Sequence, residues 1–494
     1  MKMSKCYFIL ILTILYYVNS EQLIFVELQS RHGARAPLNL DSKGLDYLGE
    51  RWENPGELTP SGQRMEYILG LRNRQRYIKD KYHFLAEKYN PHELLVYCSE
   101  FNRTMISMIS QLQGLYPMYT RGGDTLNPDL IEESIPPFNI SCEEIDEEIR
   151  SLNDSALPNY MTAIPVHQIS YIEKRFVNYI NNDCKPIVNK TLKNNKKTKK
   201  TIIEAANFFN NKYSEKLSNF YTKNPKDFKY DFDWILSFCD TLMSDHSEGK
   251  TLEKFTEKTG IEIKPLMDEC VDMITINYRD EICGDDNNDI LLLESPLLKE
   301  MVHYMRLRVD ADIKGEIIEN NIADYSRPKM VIISGHDVTM TFQIIYMIKY
   351  FGLDIDLYKL PTYTSQIAYE LIRTTDDKSN LTYSDYKVFF YFNDDEIFNV
   401  SFDKFIDVID KNSWNLDQIN DYCIGKKEDG SNSVFSIEII VIIILGIICF
   451  ALLVTVMIMA KMIRKGKGNL DYNKKLVTDG DGDEIKFSSS GRNS

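Results

Sequence analysis

The chain has 494 residues, of which 43% are hydrophobic, and its formal net charge is −15. This length is enough for one large domain with an insertion, or for two domains. The negative charge argues against a nucleic-acid binder that relies on bulk attraction, because affinity for polyanions comes mainly from clustered Lys and Arg.

The first 20 residues, "MKMSKCYFILILTILYYVNS", have the layout of a secretory signal peptide. Lys2 and Lys5 precede an apolar stretch, and the small Ser20 marks a cleavage point. The alternative is an uncleaved anchor, but the apolar stretch is short for a membrane span.

The first strand of the remaining chain is predicted at Leu23 to Leu28, and a cluster of basic residues follows it directly. In open α/β sheets, ligand sites lie beyond the carboxyl ends of strands, and Arg31, His32 and Arg35 occupy that place. Guanidinium groups bind phosphate oxygens in a bidentate way. Positive neighbours also favour the neutral form of His32, which can then attack a phosphorus atom. Gly33 is expected to let the backbone turn.

The next elements alternate between helix and strand until residue 124. The sequence predicts a helix over Thr59 to Tyr77, a strand over Glu93 to Ser99 and a helix over Arg103 to Leu115. From about residue 124 to residue 244 the strand signal fades. This stretch is interpreted as a mainly helical cap inserted into the sheet domain.

Strand and helix alternation returns late in the chain. A strand is predicted at Pro328 to Ser334, with His336 and Asp337 just beyond it, and a helix at Met340 to Phe351. The segments "QIAYELIR" and "YKVFFYFND" are interpreted as a hairpin at the edge of the sheet. The predicted fold class is α/β, with an open mixed sheet flanked by helices.

Near the carboxyl end, residues 439–460 form an uncharged apolar run long enough for one transmembrane helix. Lys and Arg follow at once, which places the tail of residues 461–494 in the cytosol. Residues 21–438 would then face the lumen or the outside, as in a single-pass type I membrane protein of the lysosome, a vesicle or the cell surface. Glycan acceptor sequences in this part support that orientation. They stand at Asn102, Asn139, Asn153, Asn189, Asn380 and Asn399.

The segments around His32 and His336 resemble the motifs of a known family. "RHGARAP" and "SGHDVT", in this order, look like the two motifs of the histidine acid phosphatases, in the branch of the prostatic and lysosomal acid phosphatases. The segments "GELTPSGQRMEYILGLRNRQRY", "NRTMISMISQLQGLYP", "IPVHQIS" and "SWNLDQINDYC" are similar to further stretches of the family. The resemblance covers roughly Gln22 to Cys423.

The resemblance implies an acid phosphatase that hydrolyses phosphate monoesters in two steps, without a metal or other cofactor. His32 would be the nucleophile and form a phosphohistidine, while Arg31, Arg35 and His336 would bind the phosphate. Asp337 would protonate the leaving alcohol, and an acid is needed because an alkoxide is a poor leaving group. Small phosphomonoesters or phosphoproteins would be the substrates, and nucleic acid is not expected as a partner.

The sequence departs from the family at several positions. The family's third phosphate-binding arginine falls on Tyr97, so Tyr97 or the nearby Arg103 is the candidate for its place. The resemblance implies a disulfide between Cys184 and Cys423. Cys270 and Cys283 are the choice for a local pair, and the odd number of cysteines between the two terminal apolar segments leaves at least one outside an intramolecular pair.

Two other interpretations remain open. The first is a catalytically impaired relative that acts as a membrane-bound binding or adhesion protein. The second is a mutase or transferase that uses the same phosphohistidine. The sequence does not give the natural substrate, the oligomeric state, or the choice between lysosome and surface.

Overall fold

The structure is a computed structural model. It describes residues 21–38, 52, 54–79, 82–127, 134–136, 143–169, 185–221, 230–249, 252–276, 291–292, 295–316, 327–354, 360–424, 454–459 and 461–462. The chain divides into two compact units, residues 1–425 and residues 426–494. The first unit contains the sheet, and the second contains a short helical segment at 454–459.

The strands in the described part of the chain form one seven-stranded sheet with the order β3-β2-β4-β1-β5-β6-β7. Their bounds are β1 Gln22–Arg31, β2 Leu94–Cys98, β3 His167–Gln168, β4 Met330–Gly335, β5 Gln366–Arg373, β6 Tyr386–Phe392 and β7 Asp395–Ser401.

The α-helices with assigned bounds follow the same chain order. They are α1 Pro60–Arg74, α2 Asn102–Leu115, α3 Glu143–Leu152, α4 Lys185–Tyr221, α5 Phe232–Ser247, α6 Glu253–Thr259, α7 Ile263–Ile276, α8 Ser295–Lys314, α9 Asp337–Phe351, α10 Phe402–Asn412 and α11 Leu416–Ile424. A π-helical segment, Gln75–Lys79, continues α1.

The sheet is mixed, as the sequence predicted. Strand β1 pairs in parallel with β4 and antiparallel with β5, so it lies at the centre of the sheet. This position explains its apolar run, because a strand covered on both faces must bury nearly all its side chains. The predicted hairpin is real, since β5 pairs antiparallel with β6. Its predicted place at the edge was wrong, because β7 pairs with β6 and lies beyond it.

Helices cover both faces of the sheet. One face carries α8, α9 and α10, which contribute Met301, Phe342 and Phe405 to a common apolar cluster. The other face is covered by α2 and the segment Gln75–Lys79, with α1 packed against α2. The two helices approach so closely at Gly70 and Gly114 that a Cβ on Gly70 would lie 1.9 Å from the backbone oxygen of Gln111. The face of α1 turned towards α2 is therefore built from small and polar residues rather than from a stripe of large apolar ones.

The predicted helical insertion has its own apolar core. Residues from α4, α5, α6 and α7 form it, between Ala205 and Met273, so the cluster continues beyond the expected end at residue 244. A disulfide joins Cys239 of α5 to Cys270 of α7, with 5.1 Å between the Cα atoms. The predicted pair Cys270–Cys283 was therefore wrong. Packing of α5 against α7 brings together two cysteines that are distant in sequence, and the short spacing between Cys270 and Cys283 gave no sign of this.

Cys423 of α11 is also disulfide-bonded. Its predicted partner, Cys184, lies outside the described residues, so this pairing stays a prediction. Of the proposed glycan acceptors, Asn153, Asn380 and Asn399 are exposed. Asn139 lies outside the described residues, and Asn189 lies within α4.

The membrane-related expectations fall mainly on residues that the structure does not describe. These include the signal peptide at 1–20, most of the span at 439–460 and most of the tail at 461–494. Within the described ranges, no helix combines the length and the hydropathy that crossing a membrane requires.

Candidate active site

The two predicted histidine motifs meet at the carboxyl ends of two neighbouring parallel strands. Arg31, the last residue of β1, is in register with Gly335, the last residue of β4. His32 and His336 therefore leave the sheet side by side, and their ring centroids are 5.1 Å apart. The backbone N–H of His32 donates to the carbonyl of Gly335 at 3.0 Å, which ties the two strand ends together.

The imidazole of His32 is buried and held in one orientation. Its Nδ1 atom lies 2.8 Å from the carbonyl oxygen of Gly33. A carbonyl can only accept, so Nδ1 carries the hydrogen and the lone pair of the neutral ring is on Nε2. Burial lowers the pKa of His32 well below its ordinary value, and the neighbouring positive charges of His336, Arg31, Arg35 and Arg103 lower it further. His32 is therefore neutral under mildly acidic conditions.

Gly33 is required by packing rather than by a turn. A Cβ at this position would lie 2.3 Å from the backbone oxygen of Gly62 in the first turn of α1. Its N–H donates to the hydroxyl of Ser107 on α2 at 3.1 Å. The loop after β1 is thus fixed between the first turn of α1 and the middle of α2. The expectation that Gly33 serves a turn was correct about the residue but wrong about its role.

Two arginines flank His32, and both are almost fully buried, at 2% exposure for Arg31 and 5% for Arg35. Arg31 donates from Nη1 to the carbonyl of Pro361 at 2.6 Å, and its Nη2 lies 2.9 Å from Oδ2 of Asp337. Arg35 forms a bidentate pair with Asp240 of α5, with distances of 2.8 and 3.2 Å. The Nε atoms of both arginines are buried and have no hydrogen-bond partner among the described residues.

Asp337 is the first residue of α9 and lies against Arg31. Burial raises the pKa of its carboxyl, but the charges of Arg31, His336 and Arg35 outweigh this and hold the pKa below its ordinary value. One carboxylate oxygen, Oδ1, accepts from the N–H of Val338 at 2.9 Å. The start of a helix also favours negative charge, because the first backbone N–H groups have no partner within the helix.

His336 is held by groups that come from the end of β2 and the start of α2. Nη2 of Arg103 lies 3.3 Å from its Nδ1. The hydroxyl of Ser99 lies 3.2 Å from its Nε2. The Arg103 guanidinium in turn lies over the ring of Phe101, 4.3 Å from its centroid. Arg103 thus brings a third positive charge to the site.

Tyr97 does not join these residues, which corrects its place among the candidates. Strand β2 continues to Cys98, so position 97 lies within the strand and Ser99 is the residue just beyond it. The side chain of Tyr97 packs against the apolar cluster on the α8 face of the sheet. Burial raises the pKa of Tyr97, and its hydrogen-bonding neighbours are Tyr304 and Glu300 of α8.

Three residues of the site were missed by the sequence analysis. Asp240 comes from the helical insertion and Ser99 from the end of β2. Tyr363 precedes β5, and its ring lies 4.4 Å from Cζ of Arg31 and 5.8 Å from the ring of His32. No motif or spacing marks Asp240 or Tyr363, because both reach the site through tertiary packing, whereas the end of β2 is a signal that could have identified Ser99.

Taken together, the site contains a neutral buried imidazole with a lone pair on Nε2, surrounded by three arginines, a second imidazole and a carboxyl group. This arrangement suits the transfer of a phosphoryl group, which depends on positioning and charge stabilisation. Among the described residues, no group of His, Cys, Asp and Glu side chains has an arrangement that would hold a metal ion.

Comparison with known proteins places these features in context. The profile described as histidine phosphatase superfamily (branch 2) matches residues 22–390. Lysosomal acid phosphatase of Xenopus laevis is 32% identical over 142 residues, which cover 29% of this chain and 31% of the relative. Prostatic acid phosphatase of Homo sapiens is 33% identical over 129 residues, which cover 26% of this chain and 31% of the relative. The matched segments thus span less than a third of the length of either relative.

Among solved structures, the apo form of the phytase from Hafnia alvei is similar in fold. It superposes with a TM-score of 0.52 at 14% sequence identity, covering 80% of this chain and 98% of that one. At this level of identity the likeness concerns the fold alone.

Proposed function

Because this chain belongs to branch 2 of the histidine phosphatase superfamily, as the match over residues 22–390 shows, we propose that it is an acid phosphatase. It hydrolyses phosphate monoesters through a phosphohistidine formed on His32. One observation carries this proposal. The Nε atoms of Arg31 and Arg35 are buried on either side of a neutral imidazole and have no hydrogen-bond partner in the described part of the chain. Buried donors require an acceptor, and phosphate oxygens fit guanidinium groups.

In the first step, Nε2 of His32 attacks the phosphorus atom. A bond forms between Nε2 and phosphorus, and the bond between phosphorus and the ester oxygen breaks. The hydrogen bond from Nδ1 to the Gly33 carbonyl supports this role, because it directs the lone pair of Nε2 away from the loop backbone. The lowered pKa of His32 keeps that lone pair unprotonated at acidic pH.

Arg31, Arg35, Arg103 and His336 bind the phosphoryl group in this proposal. Of the two candidates for the third phosphate-binding group, Tyr97 and Arg103, the proposal chooses Arg103. The contact of Arg103 with His336 at 3.3 Å supports that choice. Three guanidinium groups stabilise the charge of the phosphoryl oxygens in the transition state, which is where most of the catalytic effect in phosphoryl transfer arises.

Asp337 supplies the proton for the leaving alcohol. In its protonated form it transfers the proton to the departing ester oxygen, and the carboxylate that results accepts a proton from water in the second step. The oxygen of that water then bonds to phosphorus and the bond to His32 breaks, which releases inorganic phosphate and restores the imidazole. The proximity of Arg31 to Asp337, at 2.9 Å, supports this role because it places the carboxyl group next to the bound phosphate.

The proposal also includes the substrate class and the location in the cell that the sequence indicated. Substrates are small phosphomonoesters or phosphoproteins. The chain enters the secretory pathway through residues 1–20, and residues 439–460 anchor it as a single-pass type I protein of the lysosome, a vesicle or the cell surface. The lysosomal and prostatic relatives support a place in this pathway.

The experiment that tests the proposal is the release of p-nitrophenol from p-nitrophenyl phosphate by the purified full chain between pH 4 and pH 7. We expect hydrolysis with an acidic optimum and none with His32→Ala. Absence of turnover in a folded wild-type protein that still binds inorganic phosphate would contradict the enzymatic function and favour a binding protein.

A further inference from the structure

Helix α5 of the insertion contacts the loop after β1 through the carboxylate of Asp240. Oδ1 accepts from Nη2 of Arg35 at 2.8 Å, and Oδ2 accepts from Nη1 at 3.2 Å. Oδ2 also accepts from the backbone N–H of Leu38 at 2.8 Å. One carboxylate therefore binds both the side chain of Arg35 and the backbone three residues further on.

The contacts of Arg35 leave one edge of its guanidinium group open. Asp240 occupies the edge formed by Nη1 and Nη2, and Nη1 also donates to the carbonyl of Ala36 at 3.0 Å. The other edge consists of Nε–H and the remaining N–H of Nη2, and Nε has no hydrogen-bond partner among the described residues. Because the guanidinium is planar with its five N–H bonds in fixed directions, holding one edge fixes the direction of the other.

We propose that Asp240 is a positioning residue that holds Arg35 so that its Nε edge faces the phosphoryl group at His32. This inference rests on the proposed function, and it assigns to the helical insertion a part in phosphate binding. It differs from the view that Asp240 competes with phosphate for Arg35. Removal of a competitor would tighten phosphate binding, whereas removal of a positioning group weakens it.

The same part of the insertion provides a matched control. Oδ1 of Asp245, also on α5, accepts from Nε1 of Trp52 at 2.7 Å. This contact likewise joins the insertion to the segment after β1, but it involves no arginine of the site. Asp245→Asn therefore measures how much docking of α5 contributes by itself.

The test is the dissociation constant for inorganic phosphate, measured by calorimetry on the purified full chain, together with KM and kcat for p-nitrophenyl phosphate. In Asp240→Asn, the amide has only one acceptor oxygen and presents donors to the donors of Arg35 or Leu38. We expect the dissociation constant and KM to rise about tenfold, consistent with loss of a hydrogen bond to a charged group, while kcat changes less. Asp245→Asn should leave the dissociation constant unchanged.

A conservative variant and a double mutant make the test independent of folding. Asp240→Glu keeps the charge and should bind phosphate more tightly than Asp240→Asn. In an Arg35→Lys background, which removes the planar group, Asp240→Asn should have little further effect on phosphate binding, whereas a purely structural contribution would be additive.

Unchanged or tighter phosphate binding by folded Asp240→Asn would overturn the inference, provided that the wild type binds phosphate and turns over substrate. Additive effects in the double mutant would also overturn it. A wild type that neither binds phosphate nor hydrolyses the ester would instead refute the proposed function, and the inference with it.

Discussion

Nη2 of Arg31 lies 2.9 Å from Oδ2 of Asp337. The residue before His32 is thus paired with the residue after His336. Both side chains are largely buried. The pair keeps Asp337 ionised in the free protein. If a phosphate monoester binds to Arg31 as proposed, its negative charge would offset that of the guanidinium and make Asp337 easier to protonate. Substrate binding would then prepare the acid that the proposed reaction needs.

Replacement of Asp337 by Asn should slow the hydrolysis of alkyl phosphates more than that of p-nitrophenyl phosphate, because a general acid matters most for a basic leaving oxygen. Since the pKa of Asp337 is below its ordinary value, the fraction of protein molecules with a protonated Asp337 falls as the pH rises. We therefore expect kcat/KM of the wild type to decrease with rising pH, and a series of leaving groups measured between pH 4 and pH 7 checks both points. Asp377→Asn, in an exposed loop, is the control. Equal slowing across the series would give Asp337 a structural role.

Replacement of His32 by Ala should abolish activity while the protein stays folded, because the nitrogen that bonds to phosphorus is lost. Acid-quenched wild-type protein should carry acid-labile phosphate after incubation with labelled substrate, and the variant should carry none. His303→Ala removes an exposed histidine of α8 and should label normally. Labelling that persists in His32→Ala would assign the nucleophile elsewhere.

Replacement of Arg103 by Gln should reduce kcat/KM about ten- to a hundredfold, since a hydrogen bond to a charged group contributes about 1.5 to 3 kcal/mol. Tyr97→Phe should have little effect, because Tyr97 lies on the α8 face of the sheet. Steady-state kinetics of both variants compare the two candidates for the third phosphate-binding group directly. The reverse result, with a large loss only in Tyr97→Phe, would contradict the assignment of Arg103.

Replacement of Glu27 by Gln should stabilise the protein near neutral pH. Burial in β1 raises the pKa of Glu27, a hydrogen bond from Gln29 lowers it, and the charge of Glu300 adds a smaller rise, so that the pKa is about 8. The carboxyl is thus protonated in the folded protein below about pH 8, but it ionises in the unfolded chain above about pH 4.5. The resulting stability is fully present below pH 4.5 and is lost as the pH rises towards 8.

At pH 7 the free energy of unfolding should rise by on the order of 3 kcal/mol in Glu27→Gln. This figure follows from the difference between pH 7 and the pKa of Glu27 in the unfolded chain. Chemical denaturation of the wild type and of Glu27→Gln at pH 4.5 and pH 7 measures it. An effect of the same size at both pH values would show that the amide acts through packing rather than through titration.

The double variant with Cys239→Ser and Cys270→Ser should lose about 4 kcal/mol of stability, the value that the chain-entropy model gives for a sequence separation of 31 residues. A non-reducing peptide map should show Cys239 joined to Cys270. It should also show Cys423 joined to Cys184. A fragment that joins Cys270 to Cys283 would contradict the first pairing, and any other partner of Cys423 would contradict the second.

The sequence predicted the centre of the site because its chemistry depends on strand ends. Arg31, His32 and Arg35 follow an apolar strand, and His336 and Asp337 follow another. Two buried strands in an α/β fold place such residues at one edge of the sheet if they are parallel neighbours, as β1 and β4 are. The same reasoning failed for Tyr97. Counting along the chain gives a position relative to a motif, but the side chain's direction depends on where the strand ends.

The contribution of the insertion was not visible in the sequence. Asp240 stands in a helix that carries neither of the two histidine motifs, and only the docking of α5 reveals its contact with Arg35. The pair Cys239–Cys270 was missed for a related reason. Pairing of cysteines follows the packing of helices in three dimensions, and sequence distance gives little information about it.

The central position of β1 also affects how the chain is made. Both of its neighbours in the sheet, β4 and β5, come about 300 residues later. During synthesis at roughly 5 to 20 residues per second, this central strand therefore waits on the order of 15 to 60 s for a partner. The nascent chain exposes an unpaired, aggregation-prone strand throughout that interval. A chain that ends before residue 330 could complete neither side of this strand, so early truncation should yield a target of chaperones and proteases rather than a smaller folded protein.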